Sequence, residues 1–209
     1  MSDFLQKPED IESRKIEDTD AILFKCNVCG NCCRGRTEQD NNTGVFLSGP
    51  DVKRIAHELK MSVEDTISKY VTIIYDENMQ QNICKLRVKY SGCCSLLKKG
   101  KCMVYMSRPR TCALFPVARA INFHEGKHGV EYANTSYYMS IFAPEYKCEY
   151  SSDAPETSLN SWLLVNDVPI EDEDDQQWFQ QLLEQSLELK NKKINEDKLR
   201  ELFDNLYLN

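Results

Sequence analysis

Phe24-Lys25-Cys26-Asn27-Val28-Cys29-Gly30-Asn31-Cys32-Cys33-Arg34-Gly35 places four thiols within eight residues, and six more cysteines follow at 84, 93, 94, 102, 112 and 148. The Cys26-x2-Cys29-x2-Cys32 spacing lets a turning backbone aim several sulfurs at one centre. Adjacent Cys32 and Cys33 can share that centre or point apart. Soft thiolates bind zinc and iron–sulfur clusters, whereas magnesium and calcium select oxygen. A lone Cys-x2-Cys would read as a redox pair; two further cysteines in the same turn favour metal. The reading that follows is a small α+β domain, stabilised by metal, with short antiparallel strands and peripheral helices.

Composition narrows the alternatives. With 209 residues and 41% hydrophobic residues, the chain supports one core with appendages. A net charge of −7 argues against nonspecific attraction to nucleic acid or to an anionic membrane. Lys98, Lys99 and Lys101 nonetheless form a local basic group. The N-terminus has no basic region followed by an apolar run, and no segment reads as a membrane span. We therefore expect a cytoplasmic chain, where clustered thiols serve metal or redox chemistry more readily than disulfides.

We expect three regions: an N-terminal arm over 1–21, a cysteine-cluster domain over 22–150, and an acidic, helical C-terminal extension over 151–209 packed on that domain. Ser48-Gly49-Pro50-Asp51 is a helix start, with Val52, Ile55, Ala56 and Leu59 as its inward stripe. Ser62 to Asp65 repeats that start, so two short helices should be separated near Met61, with His57 on the wet side. Val71 to Tyr75 predicts a strand. Ile83 and the alternation of Leu86, Val88 and Tyr90 predict another, with Lys85, Arg87 and Lys89 facing water. Residues 117–142 predict a small antiparallel sheet interrupted at Gly126 and Gly129. Trp162 to Val165 returns to the core or covers it. The acidic run Glu171 to Asp175 should face water and precede an amphipathic helix through Trp178, Leu182 and Ser186. Leu199, Leu202, Phe203, Leu206 and Tyr207 predict a further helix.

The second cysteine segment runs Cys93-Cys94-Ser95-Leu96-Leu97, then Cys102-x2-Tyr105-x2-Arg108-Pro109-x2-Cys112-x2-Phe115-Pro116. Neither segment matches a zinc finger, and the first lacks the fourth cysteine and proline of the bacterial ferredoxin run. Spacing alone leaves zinc and iron open, as well as the number of metals. Over approximately residues 22–150, these motifs together resemble the CxxCxxCC cysteine-cluster family, named for zinc or iron chelation.

That resemblance implies Cys26, Cys29, Cys32, Cys33, Cys94, Cys102, Cys112 and Cys148 as cofactor-binding ligands, leaving Cys84 and Cys93 outside the pattern. The chain departs from the family at Ala113, where a basic residue is frequent, and at Glu149-Tyr150, where a glycine usually follows the cysteine. A related branch includes flagellin lysine methylases, which makes a protein substrate or partner and a protein-modifying activity an alternative reading. We find no Gly-rich element for S-adenosylmethionine and assign no catalytic residue.

The expected cofactor is one or two iron–sulfur clusters of 4Fe–4S type, with a zinc-stabilised interaction domain as the alternative. Arg34, Arg36, Arg108 and Arg110 are candidates for offsetting thiolate charge. Arg108 is the strongest, and Arg36 and Arg110 read better as surface charges or carboxylate partners. Tyr105 can donate to a sulfur or pack in the core. Phe115-Pro116 should close the cysteine loop through a rigid apolar turn, and His124 and His128 read as surface groups.

Overall fold

The computed structural model describes residues 13–17, 20–24, 26, 28–34, 45–127, 129–140, 155–190 and 195–209. The expectations for residues 1–12, Arg36, the turn at 41–44, His128 and Cys148 lie outside them. The architecture is α+β, built on two three-stranded antiparallel sheets. In the first, β1 (Ser13–Lys15), β8 (Gly129–Ser140) and β7 (Val117–Gly126) lie in the order β1-β8-β7; in the second, β2 (Phe46–Leu47), β4 (Gln81–Leu86) and β3 (Val71–Asp76) lie in the order β2-β4-β3. A two-stranded hairpin joins β5 (Leu97–Lys98) to β6 (Lys101–Cys102).

Helix α1 (Gly49–Leu59) starts as its sequence predicts. The Ser48 hydroxyl accepts from Asp51 N–H at 3.2 Å, and the Asp51 carboxylate accepts from Ser48 N–H at 3.3 Å, closing a capping box. Helix α2 (Val63–Tyr70) begins on the Ser62 cap, and His57 is exposed. α1, α5 (Glu173–Leu189) and α6 (Glu196–Tyr207) contribute to one apolar core with β4. There Tyr207, fully buried, accepts from Cys84 N–H and donates to Leu47 C=O, each at 3.1 Å, joining α6 to two adjacent strands. A second core gathers Ile22, Phe24, Leu114, Val117, Trp162 and Leu163 around α4 (Leu159–Val165) and the short α3 (Arg110–Leu114).

Three expectations need correction. The strand through Ile83 ends at Leu86, and Tyr90 is 92% exposed rather than inward. The chain must turn back here: Gly92 N–H donates to Lys89 C=O and Lys89 N–H to Cys93 C=O, returning Cys94 towards the first cysteine turn. Only half of the tetrad Trp162 to Val165 enters the core. Trp162 and Leu163 are buried, while helical periodicity turns Leu164 and Val165 outward. The acidic run does not simply face water, because Asp172 and Asp175 are buried against Arg110 and Arg119.

Burial pushes the Cys84 thiol up from 9.0 to about 12, and holds the Tyr207 phenol well above its ordinary value. Both stay protonated in the folded chain at pH values where the unfolded chain ionises. The unfolded state then binds fewer protons, so stability falls as pH rises from 9.0 towards about 12. Whatever Cys84→Ala costs at neutral pH, it should flatten this alkaline decline by up to about 1.4 kcal/mol per pH unit. Denaturant unfolding across that range checks it; unchanged slopes would contradict the assignment to Cys84.

Candidate metal centre

Main-chain and aromatic contacts bring the two cysteine segments together. Cys94 N–H donates to Cys33 C=O at 2.8 Å. Phe24, just before the first turn, packs edge-on against Phe115 and Trp162, with ring centroids 5.7 and 5.9 Å away. The Trp162 indole N–H in turn donates to Leu114 C=O at 2.9 Å, beyond Cys112. Gly30 adopts φ +73°, and a Cβ there would lie 3.1 Å from Gly100 C=O, so the turn lies directly against the β5–β6 hairpin. An apolar clamp thus holds the early turn against the later loop before any sulfur chemistry is considered.

Between them lies a cavity of about 240 Å³, lined by Cys26, Cys32, Cys33, Cys94, Cys102 and Cys112. Its remaining wall is mainly apolar, including Val28, Val45, Leu86, Leu96 and Phe115. Cys29 is exposed and does not line the cavity. Cys84 is buried elsewhere against Tyr207, and the half-buried Cys93 thiol faces Ser91 C=O at 3.8 Å. Six of the eight sequence-predicted ligands therefore share one cavity, Cys29 stands apart, and Cys148 lies outside the described residues. The nine described cysteines are thiols rather than disulfides.

The electrostatics follow from crowding sulfurs in a dry space. The Cys33 thiol is pushed far up, first by its hydrogen bond with Cys32, then by burial and by the Cys32, Cys94 and Cys112 sulfurs. Burial likewise raises Cys102, partly offset by the Val104 backbone and the Arg108 charge. Crowded thiols of this kind ionise together only when a cation supplies the balancing charge, so metal uptake should release protons.

Arg108 lies over the Tyr105 ring, 4.0 Å from its centroid, and donates to Asn166 Oδ1 at 3.3 Å. Its Nε is buried without a hydrogen-bond partner among the described residues, and Arg108 lines the cavity. Tyr105 is raised by burial and by its hydrogen bond with the Cys26 thiol. The phenol and guanidinium therefore flank the sulfurs, as their sequence positions suggest. Arg110 is instead a carboxylate partner, with its Nε donating to Asp172 at 2.8 Å. His124 lies at the surface, 3.7 Å from Glu131.

The donor set fits a thiophilic metal group: soft sulfur ligands and apolar walls line one space, with the half-buried, basic Arg108 at its edge. Sulfurs around a single tetrahedral ion, at metal–sulfur distances of about 2.3 Å, stand roughly 3.8 Å apart. Cys32 and Cys33 meet that spacing at 3.9 Å. Among the described residues, however, no three histidine, cysteine, aspartate or glutamate side chains gather closely enough to hold one ion.

These features define a small α+β protein with a cysteine-lined cavity suited to metal. The sequence-family comparison matches residues 25–137 to CxxCxxCC, described as "Putative zinc- or iron-chelating domain", and the chain belongs to that family. Comparison with curated proteins and with solved structures returned no match. Among the described residues, no helix is long and apolar enough to cross a membrane.

Proposed function

We propose that the cavity holds a polynuclear iron–sulfur centre, of 4Fe–4S type, serving a redox or coupled reaction. The carrying observation is that six cysteines line one largely apolar cavity, more than the four sulfurs a single tetrahedral ion takes. A cluster spreads its protein sulfurs over several iron atoms and so accepts wider spacing than one ion does. When bound, such a centre supplies one-electron chemistry.

The chain's own groups would bind and shield it. Cys33, Cys94, Cys102 and Cys112 are the foremost ligand candidates, with Cys26 and Cys32 at the same cavity. Arg108 Nε offers a hydrogen bond to an acceptor on the group, and the apolar wall limits water. The 3.9 Å approach of Cys32 and Cys33 favours a second reading, a zinc-stabilised interaction domain. Spectroscopy of anaerobically purified protein separates the two. The iron–sulfur reading predicts broad visible absorption that bleaches on chemical reduction; a colourless protein with stable zinc would overturn it.

A further inference from the structure

The β5–β6 hairpin carries a charge arrangement that the metal site does not require. Lys98 and Lys101 are direct cross-strand partners, and Lys99 sits in the turn between them. Lys99 and Gly100 both have positive φ, 49° and 77°, as a tight two-residue hairpin turn demands. Like charges facing each other across a hairpin destabilise it. Arg34 adds a fourth cation, its Nη2 lying 3.5 Å from where a Gly100 Cβ would be. All four residues are exposed, and among the described residues no carboxylate pairs with any of them.

The surrounding sequence sharpens the contrast. Residues 78–124 contain nine lysines and arginines and no aspartate or glutamate, in a chain whose net charge is −7. Arg110 and Arg119 are neutralised by Asp172 and Asp175, whereas among the described residues no carboxylate pairs with the hairpin tip. This unpaired charge adjoins the cavity: Cys102 lines it and immediately follows Lys101, while Gly30 packs against Gly100. A locally destabilising charge cluster beside a reactive site marks a recognition surface more readily than a structural one.

We propose that this hairpin docks an acidic protein of the small one-electron-carrier class, bringing the carrier's redox group beside the cysteine-lined cavity. Electrostatic complementarity would speed and orient such an encounter, and the acidic remainder of the chain would disfavour other orientations and repel nucleic acid. The choice of an electron carrier rests on the iron–sulfur reading; acidic-protein docking stands on the charges alone.

The test uses the full metal-loaded chain with a plant-type 2Fe–2S ferredoxin and a flavodoxin as acidic probes, and with basic cytochrome c as the charge control. Calorimetric titrations at low and at physiological ionic strength should show tighter binding of an acidic carrier than of cytochrome c, weakening with salt. Lys98→Glu/Lys101→Glu should weaken binding by roughly tenfold or more at low salt. Lys98→Gln/Lys101→Gln should fall between, with circular dichroism and metal content unchanged. Lys98→Glu alone, away from Cys102, should show the same direction if the double variant folds poorly.

Acidic carriers that bind no better than cytochrome c, or bind wild type and charge-reversed protein alike, would overturn the proposal. So would a single-stranded oligonucleotide that binds this patch more tightly than either carrier. Metal and sulfide analysis of the same preparations reports separately on the iron–sulfur reading.

Discussion

Cys33→Ser is expected to lower bound metal by more than tenfold and to destabilise the region around the first turn. Cys33 occupies the centre of the sulfur group: its thiol meets Cys32 at 3.9 Å and feels Cys94 and Cys112, while its carbonyl accepts from Cys94 N–H. A serine hydroxyl keeps that backbone link but is a poor ligand for a soft metal, so the variant isolates sulfur chemistry from main-chain packing. Because metal binding contributes directly to folding, lower occupancy should also appear as a lower unfolding midpoint. Cys102→Ser should behave alike. Cys93→Ser, whose thiol faces Ser91, should retain its metal and supplies the control. Metal content per chain, measured after anaerobic purification, checks the series; full occupancy in Cys33→Ser would remove that residue from the centre.

The second large effect is structural. Arg119 on β7 donates to Asp172 at 3.2 Å and makes a closer pair with Asp175; the three side chains are 8%, 6% and 1% exposed. Asp175 also accepts from the Ser48 hydroxyl at 2.7 Å, so one buried carboxylate joins α5 to β7 and to the cap of α1. Arg119→Met removes the cation the two carboxylates share: Asp172 keeps Arg110, while Asp175 keeps the Ser48 hydroxyl but, among the described residues, no cation in a poorly solvated space. The expected loss is about 3–5 kcal/mol, the usual cost of stranding a buried charge. Arg119→Met/Asp175→Leu should recover part of it, because the unpaired Asp175 charge is removed as well. Denaturant unfolding measures both; a loss below about 1 kcal/mol for the single variant would assign these residues the weak coupling of surface pairs.

This ion cluster also shows where sequence reading reaches its limit. The Ser48–Asp51 start was legible because a capping box is local, needing four consecutive residues and nothing else. The antiparallel sheet beyond Val117 was legible through short strand-like runs interrupted at Gly126 and Gly129, but its pairing, with β8 between β1 and β7, was not. Asp172 and Asp175 read as a solvated run because their partners lie more than fifty positions away. No periodicity announces such a pairing. Arg110 and Arg119, basic residues in a stretch without acids, were the available signal.

The cysteine site divides along the same line. Motif spacing selected the segments that meet, and six of the predicted residues do share a cavity. Spacing could not reveal that Cys29 turns to solvent while Cys33 turns inward, because that depends on the conformation of the turn and on its contact with Gly100. Nor could it place Tyr90, whose alternation implied burial until the return towards Cys94 took precedence. Phe115 read as closing the cysteine loop and Trp162 as a core residue, but only their mutual packing with Phe24 identifies the three as the clamp across the site.

Whether distant thiolates meet at a metal centre is decided by simultaneous iron, zinc and acid-labile sulfide analysis of untagged protein purified without oxygen. The expected result is iron with a comparable amount of sulfide, about four of each per cluster. A folded native preparation that contains no bound metal would contradict it.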